Sequence, residues 1–224
     1  MNEAKYITAS SSISKEIAKL LIDAEAYKVY YNKPESTWPV WADGRKAPCY
    51  CDVRSILSNA DARLGVADLL ATFIKQEFPQ VNVIAGLVTA GVPLATTIAD
   101  KLKLGLVYVR GEKKKHGTGK QIEGNLRPGS KVLIIDDVLA SGGSIIKGVR
   151  AFDTESDVTI EGAATLVSFS KPEFANKWQD VTDKHGKQIT LATGCTFTDL
   201  LDESLAQNLL NEQQYKEMHA IYSN

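Results

Sequence analysis

An α/β domain built on a central, mostly parallel sheet flanked by helices is the fold class this sequence predicts. Three observations carry that prediction. Apolar runs of strand length, at 81–88, 105–110, 131–135 and 161–169, alternate with segments whose apolar residues recur at helical spacing. Val132, Leu133, Ile134 and Ile135 are consecutively apolar and three of them are β-branched, as in a strand buried on both faces. Turns of small residues follow two of the runs, Thr89-Ala90-Gly91 and Ala140-Ser141-Gly142-Gly143-Ser144, where an open parallel sheet places its ligands.

Each element follows in order. Ile13 to about Tyr27 reads as an amphipathic helix with Ile17, Leu20, Leu21 and Ala24 on one face and Ser12 or Ser14 as its cap. Residues 30–48, with Pro34, Pro39, Gly44 and Pro48, read as irregular, and Cys49 and Cys51 as strand residues. Ser58-Asn59-Ala60-Asp61 has the pattern of a capping box. It opens a helix that aligns Val66, Leu70, Phe73, Ile74 and Phe78. The 81–88 strand leads through the Thr89 turn to a helix with Pro93 in its first turn. A strand at 105–110, a polar stretch at 111–130 and the 131–135 strand come next. Ile145, Val149 and Phe152 mark another helix. A strand at 161–169, a short one at 188–192 and a helix over 202–222 complete the chain. No repeat or linker divides it, so a single domain over 1–224 is expected.

Composition narrows the function. Twenty-six basic and 27 acidic residues leave a net charge of −1, which gives no reason to expect a nucleic-acid or membrane partner. The N-terminal residues lack a signal-peptide layout, and no run approaches a membrane span. Three cysteines, Cys49, Cys51 and Cys195, do not make a disulfide framework and point to the reducing cytoplasm.

The stretch KVLIIDDVLASGGS carries the chemistry. A Gly/Ser loop opening a helix offers N–H groups, hydroxyls and the helix dipole to a phosphate. Asp136 and Asp137 beside an anion site need another task. Sugar hydroxyls, or a hydrated magnesium ion, would supply it. The ligand that fits both is a ribose 5-phosphate; the plainer alternative is a βα turn capped by Ser144 with two solvated acids. Residues 110–120 add five cations, Arg110, Lys113, Lys114, Lys115 and Lys120, with His116 and three glycines against Glu112 alone. Such a segment suits a lid over a polyanionic ligand.

These motifs resemble a known family. VLIIDDVLASGGS is similar to the ribose-phosphate loop of type I phosphoribosyltransferases, which use phosphoribosyl pyrophosphate (PRPP). VRGEKKKHGTGKQIEG resembles the mobile catalytic loop of the orotate phosphoribosyltransferase branch, and WADGRKAPCYCDVR resembles that branch's N-terminal substrate segment. The likeness runs from about residue 13 to 170. It implies the type I fold, with a mobile loop and a small N-terminal hood over about 13–58, a PRPP-binding core over about 60–170 and a C-terminal extension, 171–224. It implies transfer of the phosphoribosyl group from PRPP to orotate, with Mg²⁺ bridging pyrophosphate and ribose. It also implies a homodimer whose subunits share active sites.

By resemblance, Asp136 and Asp137 bind the ribose hydroxyls, and Val138, Leu139, Ala140, Ser141, Gly142, Gly143 and Ser144 surround the 5-phosphate. Thr89, Ala90 and Gly91 meet the pyrophosphate. Arg110, Lys114 and His116 reach PRPP, with Lys114, His116 and Asp137 the catalytic set. Arg45, Lys46, Tyr50 and Ala140 face the orotate, and Arg45 or Arg54 is expected to carry more of its recognition than is usual in the family. The chain departs from the family pattern where Gly111 follows the loop arginine, where Ala90 replaces a frequent lysine, at Ala42, and at Ala140, where a hydroxyl is common. The alternatives are a sister enzyme for another purine or pyrimidine base and a non-catalytic PRPP-binding regulator.

Overall fold

The structure, a computed structural model, describes residues 6–41, 44, 46–112, 120–155, 157–170 and 174–223. Its elements in chain order are β1 (Tyr6–Thr8), α1 (Ser11–Asp23), β2 (Tyr27–Val29), β3 (Cys49–Cys51), α2 (Ala60–Glu77), β4 (Val83–Leu87), α3 (Gly91–Leu102), β5 (Gly105–Val109), β6 (Ile122–Glu123), β7 (Ser130–Leu139), α4 (Gly143–Ala151), β8 (Val158–Ser168), α5 (Phe174–Trp178), β9 (Thr190–Thr196), α6 (Phe197–Ala206) and α7 (Glu212–Ser223). Short 3-10 turns stand at Glu35–Thr37, Val53–Ser58 and Phe152–Thr154.

Alternation within the strands builds two apolar layers. Val132 and Ile134 of β7 join Ala85, Leu87, Val107 and Val109 in one layer, closed by Ile145 and Val149 of α4 and by Trp178. Leu133 and Ile135 face the other way, onto Ile84 and the helices α1, α2, α3, α6 and α7. A strand buried on both faces has no polar side to offer, which is why 132–135 is unbroken apolar sequence. Among the described residues the sheet has seven strands in the order β1-β9-β8-β7-β4-β5-β6, parallel except for β6. No described helix is long and apolar enough to cross a membrane.

The order of strands creates the site. From β4 the chain crosses through α3 to β5 on one side; from β7 it crosses through α4 to β8 on the other. The two crossovers diverge between β4 and β7, and a crevice opens at such a switch point. Pairing of β4 with β7 ends at Gly86 and Ile135. Beyond it β7 stays attached to β8 alone, through Asp136–Thr165, Val138–Val167 and Leu139–Ser168.

A separate pair, β2 and β3, forms a small hood with Lys28 opposite Tyr50 and Val29 opposite Cys49. Aromatic side chains clamp it to the body. Phe197 meets Tyr27, Trp41, Phe169 and Tyr222, with ring centroids 4.6–6.5 Å apart. The Trp41 indole N–H donates to the Cys49 carbonyl at 3.0 Å.

Several expectations are corrected. α1 starts after Ser10, not Ser12 or Ser14, and the buried Ser14 hydroxyl instead donates to Asp199 at 3.0 Å. The helix stops at Asp23 because Glu25 turns left-handed (φ 56°), which frees Tyr27 for the hood. Asn59, not Ser58, caps α2: its side-chain oxygen accepts from the Ala62 N–H at 3.0 Å. Phe152 falls just beyond α4, in a 3-10 turn. The short strand placed at 188–192 is the longer β9, and the single helix over 202–222 is two, broken where Asn208 turns left-handed (φ 58°). The polar stretch 111–130 contains β6. β1, β2 and β6 are two or three residues long, too short to leave a period in the sequence.

Candidate active site

Three turns meet at the tip of β7, those that hold Arg54, Gly91 and Ser144. Gly91 opens α3 directly against that tip. A Cβ there would lie 2.5 Å from the Ile135 carbonyl oxygen, so only glycine lets the helix start so close to the acidic pair. On the other side Gly142 (φ 74°) precedes α4, and a Cβ on it would strike the Phe174 ring at 2.8 Å. Gly143 differs: its Cβ would meet nothing nearer than the Ser141 hydroxyl at 3.7 Å. The fold therefore explains Gly142, whereas the bare backbone at Gly143 leaves open space beside the first N–H groups of α4.

Asp136 is buried and Asp137 half-buried. One Asp136 oxygen accepts from the Asp137 N–H at 3.0 Å, and the other from the Ser144 hydroxyl at 2.6 Å. Burial pushes the Asp136 carboxyl up to about 6; the Ser144 hydrogen bond opposes that rise and the neighbouring Asp137 charge adds to it. Ser144 thus ties the glycine loop to the acidic pair. Among the described residues no three His, Cys, Asp or Glu side chains converge into a metal cage. Two adjacent carboxylates at an open tip do suit Mg²⁺, which keeps waters and takes one or two carboxylates alongside substrate phosphates.

A cleft runs beside the tip. Its walls are apolar (Val53, Ile56, Leu57, Leu94 and Leu166), with Ala90 at one end and Arg54, Arg63 and Asp137 as its charged groups. The Arg54 Nε stands 3.8 Å from an Asp137 oxygen.

Arg110 sits at the end of β5. Its N–H donates to the Gln121 carbonyl at 2.9 Å, and its guanidinium meets Glu123 at 3.4 Å. Among the described residues its buried Nε has no hydrogen-bond partner. The short strand β6 thereby draws residues 110 and 121 together and fixes both ends of the basic segment.

The structure brings Thr89, Ala90, Gly91, Asp136, Asp137, Val138, Leu139, Ala140, Ser141, Gly142, Gly143 and Ser144 to one end of the sheet, with Arg110 on the neighbouring strand. Ala140, Ser141 and Ser144 are exposed there. Lys46 and Tyr50 are exposed on the hood and do not line the cleft. Arg45, Lys114 and His116 lie outside the described residues. Sequence reasoning passed over Arg63. Its signal was its place in the first turn of a helix whose Asn59 cap fixes its phase.

The family model for the phosphoribosyl transferase domain matches residues 52–190. The chain is 38% identical over 203 residues to an orotate phosphoribosyltransferase of Enterococcus faecalis, covering 91% of each. It is 36% identical over 197 residues to one of Listeria monocytogenes, covering 88% of this chain and 89% of the relative. Among solved structures it is similar to orotate phosphoribosyltransferase from Aeropyrum pernix, with a TM-score of 0.68 and 27% identity over 87% of this chain and 99% of that one. It shares its fold with Leishmania donovani UMP synthase at a TM-score of 0.70 and 22% identity, covering 93% of this chain and 42% of that one.

Proposed function

The chain belongs to the orotate phosphoribosyltransferase family and transfers the 5-phosphoribosyl group of PRPP to orotate, giving orotidine 5′-monophosphate and pyrophosphate; we propose that the tip of β7 is where it does so. The observation that carries this placement is the Asp136–Asp137 pair joined through Ser144 to a glycine loop at the switch point of the sheet. The proposed domain is single, 1–224, with the hood, core and extension at about 13–58, 60–170 and 171–224.

Asp136 and Asp137 accept hydrogen bonds from the ribose 2′ and 3′ hydroxyls and so aim C1 of the sugar. The N–H groups from Val138 to Ser144 hold the 5-phosphate against the dipole of α4. Thr89, Ala90 and Gly91 receive the pyrophosphate, and the buried Nε of Arg110, unpaired among the described residues, is a donor for it. As the C1–O bond to pyrophosphate lengthens, positive charge grows on the ribose and negative charge on the leaving group. Arg110, Lys114 and His116 stabilise the second, and Asp137 lies close to the first. The C1–N1 bond then forms to orotate bound as its dianion, the N1 proton having passed to solvent before the site closes. Asp136 and Asp137 would hold, through its waters, a Mg²⁺ ion arriving with PRPP, and the ion would neutralise part of the leaving group's charge. Closure of the basic segment excludes water from the ribosyl cation. The base is met from the hood side by Arg45, Lys46 and Tyr50 and from the loop by Ala140.

The working unit is a homodimer in which Lys114 and His116 serve the site of the second copy. A cytoplasmic location agrees with three free thiols, Cys49, Cys51 and Cys195. Neither nucleic acid nor membrane has a part in this reading. The test is loss of orotate absorbance in the presence of PRPP and Mg²⁺, run beside uracil, adenine, guanine and hypoxanthine. Turnover of orotate alone is the expected result; turnover of another base without orotate would leave only the PRPP half standing.

A further inference from the structure

We infer that Arg63, acting with Arg54, determines specificity for orotate by binding its carboxylate in the cleft beside β7. The inference rests on the orotate reading above and assigns the subsite within it. Both arginines are mounted on fixed backbone. The Asp52 carboxylate accepts from the Arg54 N–H at 3.2 Å, and the Arg63 N–H donates to the carbonyl of Asn59, the cap of α2, at 3.0 Å. Both side chains reach the same cleft.

Among the described residues, charge in the cleft does not balance. Two guanidiniums face one carboxylate, Asp137, which is 3.8 Å from Arg54. Arg63 has no carboxylate partner among the described residues. Once ribose hydroxyls engage Asp137, Arg54 is released as well, and the cleft holds two unpaired cations. The rest of its surface decides which anion they take. Ile56, Leu94 and Leu166 are apolar walls suited to the faces of a flat ring. Pyrophosphate is charged on every side and gains nothing from leucine. A pyrimidine with a carboxylate on its edge presents both features, and a planar guanidinium matches a carboxylate bidentately. Ala90 brings no side-chain donor to the cleft, which leaves the donors to the two arginines.

The test compares orotidine 5′-monophosphate with uridine 5′-monophosphate, which differ only by that carboxylate. Calorimetric titration of the wild type is expected to favour the first. In Arg63→Ala that preference should fall roughly 10- to 100-fold, the range for a charge-assisted hydrogen bond. Affinity for PRPP with Mg²⁺ should hold within about twofold, and Arg63→Lys should recover part of the loss. Arg54→Ala, read the same way, carries the test if Arg63→Ala does not fold. An unchanged preference in the folded variants overturns the assignment. So does a loss of pyrophosphate affinity with the preference intact, which would make the cleft a leaving-group site. A wild type that does not turn over orotate would instead remove the reading on which the inference stands.

Discussion

Asp136 sets opposing demands at a single residue. A carboxyl whose value rises from 3.8 when unfolded to about 6 when folded binds its proton more tightly in the fold. Its ionised form is therefore a cost to stability, absent below 3.8 and complete once pH has risen through 6. Asp136→Asn should be at least as stable as wild type at pH 8, by up to about 3 kcal/mol, with the gap closing toward pH 5. Urea unfolding at the two pH values measures this. A less stable Asn variant at pH 8 would mean that the Ser144 and Asp137 hydrogen bonds outweigh burial. Function has the opposite sign: PRPP affinity should weaken as pH falls through about 6, because the proton removes an acceptor for the ribose. The two adjacent glycines separate in the same way. Gly142→Ala forces a left-handed backbone and a contact with Phe174, and should cost about 1–3 kcal/mol. Gly143→Ala should leave the melting temperature unchanged and weaken PRPP binding, as titration of the two variants would reveal.

At the scale of elements, the hood and the β5–β6 corner position what the core does not. Phe197 opens α6 but packs on Tyr27 and Trp41 of the hood region. Phe197→Ala should cost about 3–5 kcal/mol. Phe197→Leu keeps most of the volume while loosening the aromatic contacts, and should raise the orotate KM more than the PRPP KM. Equal changes in both would show that the hood does not carry the base contacts. At the corner, Glu123→Ala removes the carboxylate at 3.4 Å from Arg110. Arg110 is then free to swing, and kcat should fall while the melting temperature moves by no more than about 3 °C.

The whole molecule is expected to act as a pair. Lys114→Ala disables the basic segment that one copy lends, and Asp137→Asn disables the ribose site that it keeps. Neither homodimer should be active, yet mixing the two under subunit exchange should restore about a quarter of wild-type activity, since by the statistics of pairing half the dimers are mixed and each holds one intact site. A monomer in sedimentation, or no rescue after demonstrated exchange, would place both residues in the same subunit's site.

The acid pair, the glycine loop and the Thr89 turn were legible because each is a local pattern: an apolar run ending in two carboxylates, then residues small enough to turn and open a helix. The α/β class was legible for the same reason, since strand and helix periods are written within ten or so residues of one another. The reach of the sheet was not. β1 is held by a partner far along the chain, Tyr6 by Leu191, and β6 by the preceding strand, Ile122 by Val109, and three or two residues carry no period of their own. The crevice itself belongs to strand order: only pairing of β7 between β4 and β8 leaves Asp136 at the edge where β4 ends. The cleft is likewise tertiary. Arg54, Arg63, Ala90, Asp137 and Leu166 come from five places in the sequence, and no local rule puts them together. The sequence by itself determined which groups can do the chemistry, because residue type and neighbours fix charge, donors and backbone freedom. Which of them share a surface was decided by the packing of helices on the two faces of one twisted sheet.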